Sequence, residues 1–361
     1  MKRIFNFSAG PAMLPNSVMQ QAQDEFMDWH ETGMSVMEIS HRGKDFIAIA
    51  EETENTLRDI LNIPSNYHVL FMHGGSQGQF SAVPMNFLDE RKKAAYVQTG
   101  VWGKIAIAEA NRFCDAKVIA SAEDRNHTYI PAFNDWESCE DAAYLHYVDN
   151  ETVNGVEFSQ VPAGFDVPLV VDMSSNLLSR PVNVSDFGLI YACAQKNLGP
   201  AGITIVIIRD DLLAREPQFT IPKILDYSKV ADKKSMLNTP PTYPWYMVGL
   251  VAKWVKEQGG LEEMHQRALR RSQLLYDFID QSEFYSNPVD SSVRSRMNVI
   301  FMLRDESLNQ QFIDDALKAN ISGVKGHRLL GGMRASMYNA MPQAGAEALL
   351  AYMQGFEKRF G

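Results

Sequence analysis

Short apolar runs that alternate with amphipathic helical segments are the feature that most constrains the fold of this chain. Between Val69 and Arg209, runs such as VLFM, AAYV, PLVV, LIYACA and ITIVII are apolar almost throughout. Strands of this kind occur where helices cover both faces of a mostly parallel sheet. The pattern therefore predicts an α/β fold on a mostly parallel sheet that extends to about Arg209. Further helices are predicted over 16–31 and 44–61.

The later part of the chain has a different pattern. Two long amphipathic helices are followed by the run RMNVIFML and two further helices, at 245–258, 260–281, 308–320 and 344–359. A chain of 361 residues also exceeds the roughly 250–300 residues that one core usually supports. We predict a large domain over residues 16–259 and a smaller α+β domain over 260–361.

Polar and glycine residues follow each apolar run of the first part. Ligands of open α/β sheets bind at the carboxyl ends of the strands, so these residues should converge on one edge. They are a glycine loop at 74–78, an aromatic ring at Trp102, a hydroxyl at Thr152, an acid at Asp172 and a lysine at Lys196. Asp172 precedes Lys196 by 24 residues (196 − 172), the length of one strand–connection–strand unit, which places both on neighbouring strand ends.

This set of groups matches the needs of pyridoxal 5'-phosphate. The glycine loop before a helix offers backbone N–H groups to the phosphate. Trp102 can lie on the ring, Thr152 can bind the ring hydroxyl, and Asp172 can hold a proton on the ring nitrogen. Lys196 can form the Schiff base and then move the proton. Each group alone also has an ordinary explanation, such as surface charge for Lys196 or a helix cap for Asp172.

Charge and composition limit the other functions. The net charge of −10 argues against nucleic-acid binding, which needs a basic face. No apolar run approaches the roughly 20 residues that cross a bilayer, and the N-terminus does not resemble a signal peptide. Cys114, Cys139 and Cys193 are odd in number and match no metal spacing, so a reduced, cytoplasmic protein without a metal is expected.

Seven motifs, in order, resemble the phosphoserine aminotransferases, which are fold-type-I enzymes of aminotransferase class V. They are FNFSAGPAMLP, SHRGKDF, FMHGGSQGQF, NETVNG, ACAQKNLGPAG, SMLNTPPT and KGHRLLGGMRASMYNAM. The resemblance implies reversible amino transfer from L-glutamate to 3-phosphooxypyruvate, giving 2-oxoglutarate and O-phospho-L-serine, with a role in serine biosynthesis. It also implies the related phosphohydroxythreonine step of pyridoxine synthesis, a homodimer with shared active sites, and an N-terminal segment, residues 1–15, that packs near the active site.

The resemblance also assigns individual residues. Lys196 matches the Schiff-base lysine, and Trp102, Thr152 and Asp172 match the ring contacts. The phosphate contacts are Ser76, Gln77 and Gln195, with Asn238 and Thr239 reaching the phosphate of the neighbouring subunit's cofactor. In the substrate pocket Arg334 is expected to bind the α-carboxylate and Arg42 the glutamate side chain. The substrate phosphate is expected to be bound by His41, His327 and Arg328.

Two positions depart from the pattern of some relatives. Gln77 stands where they carry Arg, so one cation towards the substrate phosphate is missing, and Ala9 stands where they carry Ser. The alternatives are another class V enzyme, such as a serine–glyoxylate-type aminotransferase or a cysteine desulfurase, and a binding protein that has kept only the fold. A nicotinamide-dependent dehydrogenase lacks support because the glycine loop does not match GxGxxG.

Overall fold

A computed structural model describes residues 3–361 of the chain. The strands, numbered along the chain, are β1 (Phe5–Asn6), β2 (Tyr67–Met72), β3 (Lys93–Gln98), β4 (Asp115–Ser121), β5 (Leu145–Val148), β6 (Asn150–Glu151), β7 (Val156–Glu157), β8 (Leu169–Asp172), β9 (Leu189–Cys193), β10 (Thr204–Arg209), β11 (Tyr285–Ser286), β12 (Asn298–Leu303), β13 (Ile321–Ser322) and β14 (Met333–Ser336).

The α-helices are α1 (Asn16–Asp24), α2 (Lys44–Leu61), α3 (Gly75–Phe87), α4 (Val101–Ala110), α5 (Asp210–Leu213), α6 (Tyr227–Asp232), α7 (Thr242–Glu257), α8 (Gly260–Gln281), α9 (Asn309–Lys318) and α10 (Gln343–Phe360). The helix predicted over 16–31 ends early, at Asp24. His30 and Glu31 have left-handed backbone conformations, with φ of 50° and 62°, so a regular helix cannot continue through them.

A seven-stranded sheet forms the centre of the larger part, with the order β2-β10-β9-β8-β5-β3-β4. β4, β3, β5, β8 and β9 run parallel, and only β10 is antiparallel to both of its neighbours. Because the five parallel strands point the same way, the residues that follow β3, β5, β8 and β9 meet at one edge. The topology thus gathers Trp102, Thr152, Asp172 and Lys196 as the strand pattern predicts.

Apolar side chains fill both faces of this sheet. One face packs against α2 and α7, through residues such as Phe46, Phe71 and Trp245, and the other packs against α3 and α4, through residues such as Phe80 and Ala106. Since both faces are covered, the strands are apolar throughout rather than alternating. This explains why the sequence pattern was informative.

A second core surrounds the small sheet β11-β12-β14 with α8, α9 and α10. β1 pairs in parallel with β13, so the N-terminal segment belongs to this unit by its pairing. Gly259 and Gly260, with φ of 103° and 73°, form the turn between α7 and α8. These contacts support the boundary that we propose at 259/260. Met1 and Lys2 of the predicted N-terminal segment lie outside the described residues.

Within residues 3–361, no helix is both long and apolar enough to cross a membrane.

Candidate active site

Lys196 lies in the turn after β9, and its side chain is half-buried. Its Nζ is 5.1 Å from the centroid of the Trp102 ring. Burial acts to lower the pKa of Lys196, but the acidic groups around it outweigh that effect and the pKa lies above its ordinary value; these groups are Cys193, Tyr338, Asp172 and Glu151. The amine of Lys196 is therefore held as a cation by the acidic groups around it.

The N-terminal segment closes over this lysine. A Cβ placed on Gly10 would be 3.3 Å from Cγ of Lys196, so the backbone at position 10 packs directly on the lysine stem. The Ala12 amide donates to the carbonyl of Gln195 at 2.9 Å. The side chain of Tyr338 anchors the same segment, because its hydroxyl donates to the Ala9 carbonyl at 2.6 Å.

Asp172 ends β8 and is 4% exposed. Its Oδ1 accepts from the Ser174 amide at 2.8 Å, and the hydroxyls of Ser174 and Ser76 lie 2.8 Å apart. Desolvation raises the pKa of the Asp172 carboxyl, although the Lys196 charge and the serine hydrogen bonds act in the opposite direction. A buried carboxylate beside a cation is suited to hold a second positive group, such as a protonated ring nitrogen.

Trp102 and Thr152 are joined by a hydrogen bond at the edge of the sheet. The indole Nε1 donates to Thr152 Oγ1 at 2.9 Å, and Thr152 is 2% exposed. Trp102 belongs to the first turn of α4, and Thr152 follows β6. Trp102 and Thr152, which the sequence predicts as two separate ring contacts, are therefore held together by a direct hydrogen bond.

The start of α3 forms an open cradle. Gly74 and Gly75 have φ of 91° and 61°, which only glycine adopts without strain, and no side chain caps the helix. Ser76 and Gln77 lie in the first turn, and Ser76 faces Ser174 as described above. Uncapped amides at a helix start, with hydroxyls beside them, fit a phosphate group.

Arg334 of β14 reaches the same edge from the small sheet. Its Nη1 donates to the Thr152 carbonyl at 3.1 Å, while its buried Nε has no partner among the described residues. Burial lowers the pKa of His327, with further lowering by the Arg334 and Arg328 charges, so the three groups form one basic cluster. A guanidinium with a free buried donor is suited to a carboxylate of the ligand.

Four other predicted residues lie on the loops before α2 and α7. Asn238 and Thr239 are exposed in the loop between α6 and α7. His41 and Arg42 precede α2, where Arg42 is exposed and His41 Nε2 is buried without a partner among residues 3–361. No hydrogen bond links any of these four to the strand-end residues within the described part of the chain.

Three residues of the site were missed by the strand-end reasoning. The Asn298 amide donates to the Tyr338 hydroxyl at 3.3 Å, and the Asn150 amide donates to Asn298 Oδ1 at 2.8 Å. These bonds run from the N-terminal segment through β12 to β6. The motif NETVNG was the available sequence signal for Asn150, because its partner Asn298 lies 148 residues away in the chain.

The groups present fit pyridoxal 5'-phosphate on their own chemistry. The open α3 start suits its phosphate, the buried Asp172 suits its ring nitrogen, and Lys196 suits its aldehyde, with the Trp102 ring 5.1 Å from the amine. Across residues 3–361, no group of three or more His, Cys, Asp or Glu is placed to hold a metal ion. A family model described as aminotransferase class-V matches residues 4–349. Fold and site thus define a pyridoxal-phosphate-dependent aminotransferase of class V.

Comparison with individual proteins narrows this class. A phosphoserine aminotransferase of Coxiella burnetii is 53% identical over 361 residues, covering 100% of both chains. The solved phosphoserine aminotransferase of Bacillus circulans subsp. alkalophilus matches with a TM-score of 0.97 and 45% identity, over 100% of both chains. The pyridoxal-phosphate-bound phosphoserine aminotransferase of Trichomonas vaginalis matches with a TM-score of 0.94 and 39% identity, over 98% of this chain and 100% of the other. The chain belongs to the phosphoserine aminotransferase family. The predicted family, fold class and cofactor are confirmed.

Proposed function

We propose that the chain transfers the amino group of L-glutamate to 3-phosphooxypyruvate, reversibly, with Lys196 as the catalytic residue. The products are 2-oxoglutarate and O-phospho-L-serine. Membership of the phosphoserine aminotransferase family supports this reaction. The single observation that carries the assignment of the site is the position of Lys196, with Asp172 and Trp102 around it at one edge of the sheet.

Pyridoxal 5'-phosphate, when bound, supplies an aldehyde for amino exchange and a ring that accepts electrons from the substrate carbon. In our proposal Lys196 holds the cofactor before substrate arrives and afterwards moves the proton at the substrate carbon. Asp172 keeps the ring nitrogen protonated, and Trp102 and Thr152 orient the ring. Ser76, Gln77 and Gln195 bind the phosphate at the start of α3. The N-terminal segment packs on the stem of Lys196 and restricts its position.

The basic cluster is proposed to bind the two substrates. The free Nε of Arg334 is oriented for the α-carboxylate, which glutamate and phosphoserine share. His327 and Arg328, whose charges interact with that of Arg334, are proposed to bind the distal phosphate of one substrate or the distal carboxylate of the other. Arg42 and His41 are proposed to complete this end of the pocket. Phosphohydroxythreonine has the same amino-acid and phosphate ends, so the pyridoxine step stays a prediction for this site.

A homodimer with shared active sites is part of the proposal. Asn238 and Thr239 are exposed in their own chain, as expected for residues that act on a neighbour. Large apolar side chains are also exposed near the N-terminal helix, among them Met19, Phe26, Met27, Met34 and Met37. Exposed apolar patches of this kind mark association surfaces. A cytoplasmic location stays a prediction that rests on the three free cysteines.

Substituting Lys196 by Ala tests the proposal. Purified protein should show a visible cofactor absorption band that shifts on adding glutamate, and Lys196→Ala should lose turnover by at least ~10²-fold. Turnover is measured with glutamate against 3-phosphooxypyruvate, the keto acid of phosphohydroxythreonine, glyoxylate and pyruvate. Full turnover in Lys196→Ala would refute the catalytic assignment. Preference for an unphosphorylated acceptor would refute the substrate assignment.

A further inference from the structure

Helix α4 begins without a local cap, yet three amides of its first turn are bound by one distant loop. Gly100 stands at the cap position and offers no side chain. The Val101 amide donates to Asn154 Oδ1 at 3.1 Å. The amides of Trp102 and Gly103 donate to Oε2 and Oε1 of Glu151 at 3.0 Å and 2.7 Å. The loop between β6 and β7 therefore replaces the cap that the local sequence lacks.

Two glycines provide the space for this carboxylate. A Cβ on Gly100 would overlap the Glu151 carboxylate, and a Cβ on Gly103 would be 3.4 Å from its Oε1 and 3.1 Å from the Val97 carbonyl. The backbone of Gly100 is extended, so its role is to leave room rather than to adopt a special conformation. Glu151 thus occupies a fitted position at the start of α4.

A carboxylate in this position is energetically costly. Glu151 is fully buried, and desolvation raises the pKa of its carboxyl to about 7, despite the two amide hydrogen bonds and the attraction of Lys196. Asp172 adds repulsion. A neutral Ser or Asn would cap the helix without this cost, but each has one acceptor oxygen. A carboxylate has two oxygens, and each one accepts from a different amide of the first turn. Because two bonds hold the turn at two points, Glu151 fixes its orientation.

The residue held in this way is Trp102. Its backbone donates to Glu151, and its indole donates to Thr152, the next residue of the same loop. Its ring lies 5.1 Å from Lys196 Nζ. We propose that Glu151, together with Asn154, is a positioning residue that fixes the indole of Trp102 at the cofactor edge. This inference rests on the proposed function, since it takes Trp102 as the plate for the cofactor ring.

The experiment uses the holoenzyme and three variants. Glu151→Gln keeps the shape but offers one acceptor oxygen and places an NH2 against the second amide. Asn154→Ala removes the third acceptor without a change of charge. Glu109→Gln makes the same change as the first variant near the other end of α4, where Glu109 accepts from Ser81. For each we measure cofactor content, visible circular dichroism of the bound cofactor, kcat of both half-reactions, and Tm.

We expect Glu151→Gln to lose visible ellipticity per bound cofactor by about twofold or more and kcat by about tenfold or more, since small misplacements in a site cost rate steeply. Both half-reactions should fall equally, because the plate serves both substrates. Asn154→Ala should change in the same direction and less, and Glu109→Gln should match the wild type.

Wild-type ellipticity and kcat per bound cofactor in Glu151→Gln would overturn the inference, even if Tm fell, because that is the result of a purely structural cap. If Glu151→Gln did not fold, wild-type values in Asn154→Ala would overturn it instead. A wild-type protein without a visible cofactor band would contradict the proposed function itself. This result is obtained on the wild type alone, so it can be told apart from a failure of the inference about Glu151, which is seen only in the variants.

Discussion

At the scale of single residues, the site combines groups whose charges are set by burial with groups that stay open to solvent. Asp172 and Glu151 are buried, and the pKa of each carboxyl lies above its ordinary value because of desolvation. Gln77 is exposed in the first turn of α3, and its side chain makes no hydrogen bond within the described part of the chain. The two kinds of residue lead to different predictions.

Gln77→Arg should strengthen binding of the phosphorylated substrate more than that of glutamate. A partly exposed cation adds about 1 kcal/mol or less to an ion pair, so KM for 3-phosphooxypyruvate should fall by roughly two- to fivefold at low salt. KM for glutamate is the internal comparison and should fall by a smaller factor, because its distal group carries less charge. A fall of both KM values by the same factor would show that the substitution acts on the cofactor phosphate instead.

The pH dependence of stability should reveal Glu151 in the cofactor-free protein. Its carboxyl has a folded pKa of about 7 against an ordinary value of 4.5, so the folded state binds the proton more tightly than the unfolded state. Stability should then fall as pH rises from about 4.5 to 7, by an amount on the order of 3 kcal/mol. Urea unfolding of wild type and Glu151→Gln at several pH values measures this. In Glu151→Gln the unfolding free energy should lack the decrease that Glu151 causes in the wild type. If the unfolding free energies of the two proteins changed in parallel with pH, the raised pKa of Glu151 would be contradicted.

The sequence predicts residues that stand at the ends of parallel strands. It does not predict residues whose role depends on a hydrogen-bond partner far away in the chain. Lys196, Asp172, Trp102 and Thr152 follow buried strands, and parallel strands bring such residues to one edge. The capping role of Glu151 was not predicted because its partners lie 48 and 49 residues earlier in the chain. The glycines of GVWG next to Trp102 were the available signal, since they leave room for a side chain from elsewhere.

At the scale of elements, the β6–β7 hairpin joins the two parts of the molecule. It carries Thr152 and Glu151 on the side of the large sheet, and Val156 forms an isolated bridge with Arg294 on the other side. The Ser295 amide donates to the Gly155 carbonyl at 2.9 Å. Sequence patterns predicted long elements such as α2 and α8 within a few residues, but strands of two residues have no periodicity that a pattern could show.

Arg296→Leu should destabilise this joint strongly. Arg296 Nη2 lies 2.5 Å from Glu157 Oε1, and both side chains are almost buried, 12% and 4% exposed. Burial acts to raise the pKa of Glu157, but the charge and hydrogen bond of Arg296, with smaller contributions from Asn176 and Arg180, together hold that pKa below its ordinary value. Loss of the arginine leaves a buried carboxylate without its ion-pair partner, at a cost of about 3–5 kcal/mol in unfolding free energy.

Three further variants, one of them Glu157→Gln alone, make this test specific. Arg296→Leu combined with Glu157→Gln should recover a large part of the loss, since position 157 then carries no buried charge that needs Arg296. Arg304→Leu, at an exposed position of the small unit, should change stability little. A loss in the double variant equal to the sum of the separate losses would mean that the two charges do not interact.

At the scale of the whole molecule, the exposed Asn238 and Thr239 predict complementation between inactive subunits. Lys196→Ala lacks the lysine in its own site, and Asn238→Ala with Thr239→Ala is expected to damage the neighbour's phosphate site. Co-expressed 1:1, half of the dimers are mixed, and each mixed dimer contains one intact site, so about a quarter of wild-type activity should return. Recovery no greater than the average of the two parents would argue that each site is built from one chain.

The capped start of α4 also affects where a phosphate group can bind at this edge of the sheet. Two helices, α3 and α4, begin at the same edge of the central sheet, and both direct the positive end of their peptide dipoles towards it. The amides at the start of α4 are already paired with Glu151, whereas the start of α3 has no side-chain cap. An incoming phosphate therefore finds unpaired amides at one helix start instead of two. The protein alone thus favours one orientation of a phosphate-bearing ligand, with the phosphate at α3.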